Sequence, residues 1–185
     1  MSTQIIPGSI GAIAKQNNKS IAESFISADV IVIVDTSGSM GVNDSRGGAA
    51  RYDVACEELR NLQESLPGKI AVLSFSCDVE FCPGGVPTYL NGDTDMAKAL
   101  QFAKIADVPD MQFILISDGE PNEPTETLRI AKTFKNKIST IYVGPESRPA
   151  GRDFLNQLSK ATGGESITVD RAKELASGIR LLLKA

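Results

Sequence analysis

Residues 28–35 read ADVIVIVD, a continuous apolar run that ends in a carboxylate. Residues 111–117 read MQFILIS, a second run of the same kind, and Asp118 follows it directly. Uninterrupted apolar runs of this length are typical of strands buried on both faces of a parallel sheet, because a strand with one solvated face would alternate apolar and polar residues. The two stretches therefore predict the centre of a parallel sheet, with a carboxylate at the carboxyl end of each strand.

Outside these two strands, segments of helical periodicity alternate with shorter apolar runs. Helices are expected at Tyr52–Leu66, Thr94–Ala106, Thr125–Lys135, Asp153–Ala161 and from Asp170 onward, and strands at Lys69–Phe75, Val79–Cys82, Ile138–Val143 and Glu165–Val169. The short strand that follows the turn near Cys77 is expected to be an antiparallel edge strand. This alternation predicts an α/β fold with a doubly wound, mainly parallel sheet and helices on both faces. Ligands of such sheets bind at the carboxyl ends of the strands, where the direction of winding reverses.

A chain of 185 residues suits one domain of this class. Residues 1–27 precede the first strand and are predicted to form a helical N-terminal extension, which leaves 28–185 as the domain. Apolar residues recur at helical spacing in the extension, and Ser9 is placed to cap a helix there. This pattern favours a helix packed onto the domain over a segment that docks a partner.

Composition excludes several classes of function. The chain contains no histidine, which rules out Ser-His-Asp and Cys-His triads and His-ligated metals within this chain. The net charge of −4 argues against nucleic acid or an anionic membrane as the main partner. The odd set of Cys56, Cys77 and Cys82 favours small buried side chains in a reducing compartment. No secretory signal or membrane span is recognisable, so a cytoplasmic location and a prokaryotic or phage source are expected.

Oxygen-bearing side chains gather at the predicted carboxyl ends of the strands. Asp35, Ser37 and Ser39 alternate after the first strand, so an extended chain would direct all three to one side. Asp118 follows the other buried strand, and Thr94 lies in a polar loop between the two. Two carboxylates and three hydroxyls are hard donors that suit Mg²⁺ or Mn²⁺. Because hydroxyls are neutral, such an ion would stay electrophilic and could accept an Asp or Glu from another protein.

The segment Asp35-x-Ser37-x-Ser39, together with the later Thr94 and Asp118, resembles the metal-ion-dependent adhesion site of von Willebrand factor A domains. In that family the first three residues follow the first strand, the threonine comes from a middle loop, and the second aspartate follows the fourth strand. The order of the residues and their predicted strand context match this pattern. The resemblance implies that these five residues hold Mg²⁺ or Mn²⁺.

The resemblance extends over residues 28–184 and implies more than the ligand set. It implies the strand order 3-2-1-4-5-6, with strand 3 antiparallel, in a Rossmann-like sheet. It also implies a protein-binding module and not an enzyme, in which the ion accepts an Asp or Glu carboxylate from a partner protein. A last helix that shifts when the metal shell changes is a further expectation of this family.

Two other classes of function stay open. A Mg²⁺-dependent phosphoryl-transfer enzyme on a similar sheet also places an aspartate after its first strand. A haloacid-dehalogenase-like site, however, needs a second aspartate where this chain has Ser37, and no Lys-bearing glycine-rich phosphate loop is present. The serines also lack a base to activate them. The second class is a scaffold that keeps the fold and uses another surface, in which case divalent metal would not stabilise the protein.

Further acidic residues are expected outside the ligand set. Asp44 is interpreted as a loop residue and Asp53 as a helix cap. Glu120 is interpreted as a hydrogen-bond acceptor for a metal ligand, which does not bind the ion itself. The segment 105–128 contains six acidic residues and no Lys or Arg. With Asp93 and Asp95, these acids would form either a charged rim around the site or a solvated acidic face.

Overall fold

The computed structural model describes residues 5–44, 48–119, 121–144 and 149–168. Six strands form one sheet in the order β3-β2-β1-β4-β5-β6. The strands are β1 (Val30–Asp35), β2 (Ile70–Phe75), β3 (Val79–Phe81), β4 (Gln112–Ser117), β5 (Ile138–Tyr142) and β6 (Ser166–Thr168). Strand β3 runs antiparallel to β2, and the other neighbouring pairs are parallel. The predicted doubly wound α/β sheet and its strand order are confirmed.

Helices cover both faces of this sheet. They are α1 (Ile10–Gln16), α2 (Ile21–Ile26), α3 (Arg51–Ser65), α4 (Met96–Ala103), α5 (Pro124–Ala131) and α6 (Pro149–Thr162), with 3₁₀ turns at Gly38–Gly41 and Lys104–Ala106. On one face Ile31 and Ile33 of β1 join the core with α4, α5 and α6, and on the other Val32 and Val34 join Leu59 of α3. Alternate side chains of β1 thus enter opposite cores, which is why its sequence is apolar throughout.

The N-terminal extension differs from the single helix that its periodicity predicts. Ser9 caps α1 by accepting from the Ala12 N–H at 3.3 Å, as expected. The chain then breaks at Asn18, whose φ is 52°, and Ser20 starts a second helix with a capping box closed by Glu23. Capping boxes satisfy two free donors at once, so they set helix starts firmly. The extension packs onto the sheet, since Ile10 is 1% exposed within the core.

Several predicted boundaries shift for local reasons. Helix α4 starts at Met96, two residues late, because Asp95 caps it through the Lys98 N–H, and its end tightens into the second 3₁₀ turn. Helix α5 ends at Ala131, four residues before its predicted end. Asp53 is not the cap of α3: Ala50 occupies that position, and Asp53 lies in the first turn. The helix predicted from Asp170 lies outside the described residues.

The three cysteines are free thiols in different environments. Cys82 is buried and Cys56 is half-buried, whereas Cys77 is exposed, so the expectation of burial is wrong for Cys77. That residue lies in the turn between β2 and β3, where the chain leaves the sheet. Among the helices in the described ranges, none has both the length and the apolar character that crossing a bilayer requires.

Candidate metal centre

The loop after β1 folds back on the carboxylate that ends the strand. Asp35 Oδ1 accepts the Ser37 N–H at 2.8 Å, and the hydroxyls of Ser37 and Ser39 lie 3.2 Å apart. Thr36 points the other way and donates its hydroxyl to the Phe75 carbonyl. Met40 is fully buried and anchors the 3₁₀ turn in the core beneath. The sequence DTSGSM therefore presents its first, third and fifth side chains to one side of the loop.

The end of β4 lies directly beside this loop. Because β1 pairs in parallel with β4, in register up to Val34 and Ile116, the two strands deliver their last residues to the same edge. The Ser117 hydroxyl donates to Asp35 Oδ2 at 2.5 Å. The Ser39 hydroxyl donates to Asp118 Oδ1 at 2.9 Å. Hydrogen bonds of the two loops thus link Asp35, through Ser37 and Ser39, to Asp118.

Thr94 reaches this edge from the loop before α4. Its N–H donates to Asn122 Oδ1 at 3.3 Å, and its carbonyl accepts the Asn122 N–H at 3.0 Å, so the loop is fixed to the segment after β4. A Cβ atom placed on Gly119 would lie 3.9 Å from both the Thr94 and the Ser39 hydroxyl oxygens. Both hydroxyls therefore border the same glycine, and the structure brings all five predicted residues to one edge of the sheet.

The donor set fits a small hard cation. All five side chains offer oxygen, and only two of them are carboxylates. Within the described ranges, no three His, Cys, Asp or Glu side chains gather where they could hold a metal ion, so a metal here would depend on the hydroxyls. Mg²⁺ and Mn²⁺ prefer such oxygen donors and keep part of their water shell, which suits a site with few charges.

Burial sets the electrostatics of the first carboxylate. Asp35 is 0% exposed, and this loss of water raises its pKa from 3.8 to about 6. Hydrogen bonds from Ser117 and Ser37 oppose the shift in pKa, and the nearby charge of Asp118 adds to it. A buried carboxylate without a counter-ion is costly, and a bound cation would relieve that cost.

Arg51 belongs to this edge although sequence reasoning missed it. Its Nε and Nη2 atoms donate to the two carboxylate oxygens of Asp44 at 2.8 and 2.6 Å. Its Nη1 donates to Asp118 Oδ2, and only 7% of the Arg51 side chain is exposed. The hydrogen bond with Asp44, followed by that with Asp118, raises the pKa of Arg51 above its usual range. Nothing local in the sequence signals this contact, because its partners lie 7 and 67 residues away.

The acidic segment is not a continuous rim. Asp107 and Asp110 precede β4, so they lie at the amino edge of the sheet, opposite the candidate site. The Asp107 carboxylate is instead bonded to Lys104 and Asn136. Of the acids after β4, Glu126 pairs with Arg129, and Glu120 lies outside the described residues. Asp107 and Asp110 are therefore not part of a rim around the site.

Apolar side chains flank the site on its exposed side. Val42 is 45% exposed just after the 3₁₀ turn, and Tyr89 is 40% exposed beside it. The Tyr89 ring packs on Tyr52 with centroids 5.0 Å apart, and its hydroxyl lies 3.4 Å from the Gly38 carbonyl. Exposed aromatic and aliphatic groups of this kind are common where proteins bind proteins.

Comparison with known proteins identifies the fold. No protein-family model matches the chain, and no curated protein matches it significantly. Among solved structures, a von Willebrand factor type A protein from Catenulispora acidiphila is 19% identical, with a TM-score of 0.55 over 84% of this chain and 42% of that one. The manganese-loaded TRAP protein of Plasmodium vivax is 16% identical, with a TM-score of 0.58 over 85% of this chain and 73% of that one.

A third structure matches over nearly its whole length. It is an aerotolerance-related membrane protein from Bacteroides fragilis, 16% identical, with a TM-score of 0.65 over 84% of this chain and 98% of that one. The chain spans less than half of the Catenulispora protein, so the likeness concerns only part of that protein. At these identities the likeness defines the fold: the chain has the fold of von Willebrand factor A domains.

Proposed function

We propose that this chain is a protein-binding module whose binding depends on Mg²⁺ or Mn²⁺. The ion is held by Asp35, Ser37, Ser39, Thr94 and Asp118 in the manner of a metal-ion-dependent adhesion site. An Asp or Glu side chain of a partner protein completes its shell. Residues 28–185 form the binding domain, and 1–27 an extension that packs against it.

The observation that carries the proposal is the series of hydrogen bonds that links Asp35, through Ser37 and Ser39, to Asp118. It joins two loops that are 79 residues apart in sequence, from Ser39 to Asp118. A turn that formed only for local reasons would need no such partner. The fold likeness to a manganese-loaded protein supports a divalent ion as the ligand.

Each residue has a distinct task in this proposal. Asp35 supplies a buried charge that Ser37 and Ser117 orient through both carboxylate oxygens. Ser39 and Thr94 supply neutral oxygens on either side of Gly119. When bound, the ion supplies an electrophilic centre for a carboxylate. Tyr89 and Val42 offer apolar contact to residues that flank the partner's acid.

Catalysis is not part of the proposal. The Ser39 hydroxyl donates to Asp118, and Ser37 faces Ser39. Asp118 is the one carboxylate in these contacts, and in this proposal it is a metal ligand that Arg51 also engages, so it is not assigned as a base that activates a nucleophile. The contacts at this edge therefore suit recognition.

Calorimetric titration of Mg²⁺ into the purified chain tests the proposal. We expect saturable binding in the micromolar to millimolar range and a higher melting temperature with Mg²⁺ than with EDTA. Ser37→Ala is expected to abolish both effects. Ser159→Ala is a matched control, because Ser159 is equally buried but bonds within its own helix to the Asn156 carbonyl.

Binding of the partner's Asp or Glu carboxylate to the ion needs a second experiment. A partner retained by the immobilised protein with Mg²⁺ should be released by EDTA and should not bind the Ser37→Ala variant. Replacing the partner's acidic residues one at a time with Asn or Gln should identify one whose loss abolishes retention. Retention that is unchanged in EDTA would contradict the proposal and favour a scaffold, and metal-dependent hydrolysis of phosphoesters would favour an enzyme.

A further inference from the structure

The Arg51 guanidinium is a buried cation that contacts Asp118, one of the proposed metal ligands. Arg51 is the first residue of α3, and its N–H donates to the Val42 carbonyl at 3.3 Å. Its guanidinium bonds to Asp44 with two nitrogens and to Asp118 with the third. The Asp118 side chain is 0% exposed, so both of its oxygens are engaged inside the protein, one by Arg51 and one by Ser39.

We infer that Arg51 is a positioning residue and a fixed counter-charge of the metal site. Arg51 holds Asp118 by one oxygen and lowers the affinity of the site for divalent cations. The inference rests on the proposed function. An ion that the protein's own ligands hold less tightly is more available to an incoming carboxylate. Arg51 thus shifts the balance from holding the metal toward binding the partner.

Charge counting supports this role. Asp35 and Asp118 place two negative charges in the interior, and Arg51 places one positive charge in direct contact with Asp118. Without Arg51 this positive charge would be absent, and the two buried carboxylates would attract a divalent ion more strongly. Charges that are buried act on one another with much less screening than charges at the surface.

A purely structural role would explain the same contacts differently. Arg51 would then be a clamp that ties the loop after β1 to the loop after β4, with no effect through its charge. The two roles can be distinguished because the ion pair has one positive member, Arg51, and one negative member, Asp44. Arg51→Gln and Asp44→Asn each break the pair, but they change the net charge in opposite directions.

The experiment is a calorimetric titration of Mg²⁺ alone into the wild type and the variants. Arg51→Gln is expected to raise Mg²⁺ affinity about tenfold or more, since a unit charge near a divalent ion acts this strongly even with the screening of water. Asp44→Asn is expected to lower the affinity about threefold, because the Asp44 side chain is 32% exposed and water screens its charge. Arg51→Lys keeps the charge and should return the affinity most of the way to wild type.

Lower affinity in both Arg51→Gln and Asp44→Asn would overturn the inference and establish the clamp, as would no change in Arg51→Gln. If Arg51→Gln does not fold, the double variant with Asp44→Asn removes both charges of this ion pair together. Its affinity should exceed that of Asp44→Asn alone, and an equal or lower affinity overturns the inference. A wild type that binds no Mg²⁺ at millimolar concentration would refute the proposed function itself.

Discussion

Replacing Asp35 by Asn should stabilise the metal-free protein at neutral pH. Asp35 is a charged group with no exposed surface, and among the described residues its carboxylate accepts hydrogen bonds from Ser37 and from the Ser117 hydroxyl. Asn is the same size, and its Oδ1 can accept from Ser37 while its Nδ2 donates to the Ser117 oxygen. The substitution therefore removes the buried charge and keeps the hydrogen bonds.

The size of the effect follows from the pKa of Asp35. Burial raises this pKa from 3.8 to about 6 in the folded protein. Between these values the folded state binds more protons than the unfolded state, so stability falls as the pH rises from 4 to above 6. A shift in pKa of this size corresponds to about 3 kcal/mol of unfolding free energy, absent near pH 4 and fully developed by pH 7.5.

Urea unfolding in EDTA measures this difference. We expect Asp35→Asn to match the wild type near pH 4 and to exceed it by about 3 kcal/mol at pH 7.5. Mg²⁺ at about 100 times its Kd should nearly cancel this difference, because binding stabilises the wild type by about 2.7 kcal/mol and the variant lacks one of the proposed ligands. Asp29→Asn is the matched control: Asp29 is an exposed aspartate paired with Lys69, and its replacement should change stability little at any pH.

Refutation would take one of two forms. In one, Asp35→Asn is less stable than the wild type in EDTA at pH 7.5, which would mean that the charge of Asp35 is already compensated without a metal. In the other, the difference between the two proteins is the same at pH 4 and pH 7.5, which would mean that Asp35 does not titrate with a raised pKa.

Three further perturbations test separate parts of the structure. Thr94→Ala should lower Mg²⁺ affinity about tenfold or more in calorimetry while circular dichroism stays unchanged, and unaltered affinity would remove Thr94 from the ligand set. Leu59→Ala should lower the free energy of unfolding in urea by about 2–5 kcal/mol, since Leu59 of α3 is fully buried in the core that α3 shares with β1. A decrease of less than about 1 kcal/mol would contradict that packing. Asp107→Ala should cost about 1–3 kcal/mol in urea unfolding, because the Lys135 and Asn136 N–H groups lose the carboxylate that accepts from them, and it should leave Mg²⁺ affinity unchanged.

The sheet was predictable because its signal is carried by whole segments. The runs at 28–35 and 111–117 are apolar on both faces, and this pattern has few structural outcomes other than central parallel strands. The helix starts were less predictable because single side chains decide them. Ser20 with Glu23 splits the extension into two helices, and Asp95 delays the start of α4.

The candidate site was predictable to the extent that it follows from strand ends. Asp35 and Asp118 each follow a buried run, so a parallel sheet brings them to one edge. The contacts of Ser117 and Arg51 depend on pairings 82 and 67 residues apart, which no local pattern contains. The same topology explains why Asp107 and Asp110 do not lie at the site. Residues before β4 and residues after it lie at opposite edges of the sheet, although they are close together in the sequence.

The central claim is that one divalent ion binds among the loops after β1 and β4 and before α4. Anomalous diffraction from crystals grown with Mn²⁺, recorded near the manganese absorption edge, locates such an ion directly. The claim predicts one strong peak bordered by Ser37, Ser39 and Asp118, and its loss in Ser37→Ala crystals. A map with no peak at this edge, from protein saturated with Mn²⁺, would contradict it.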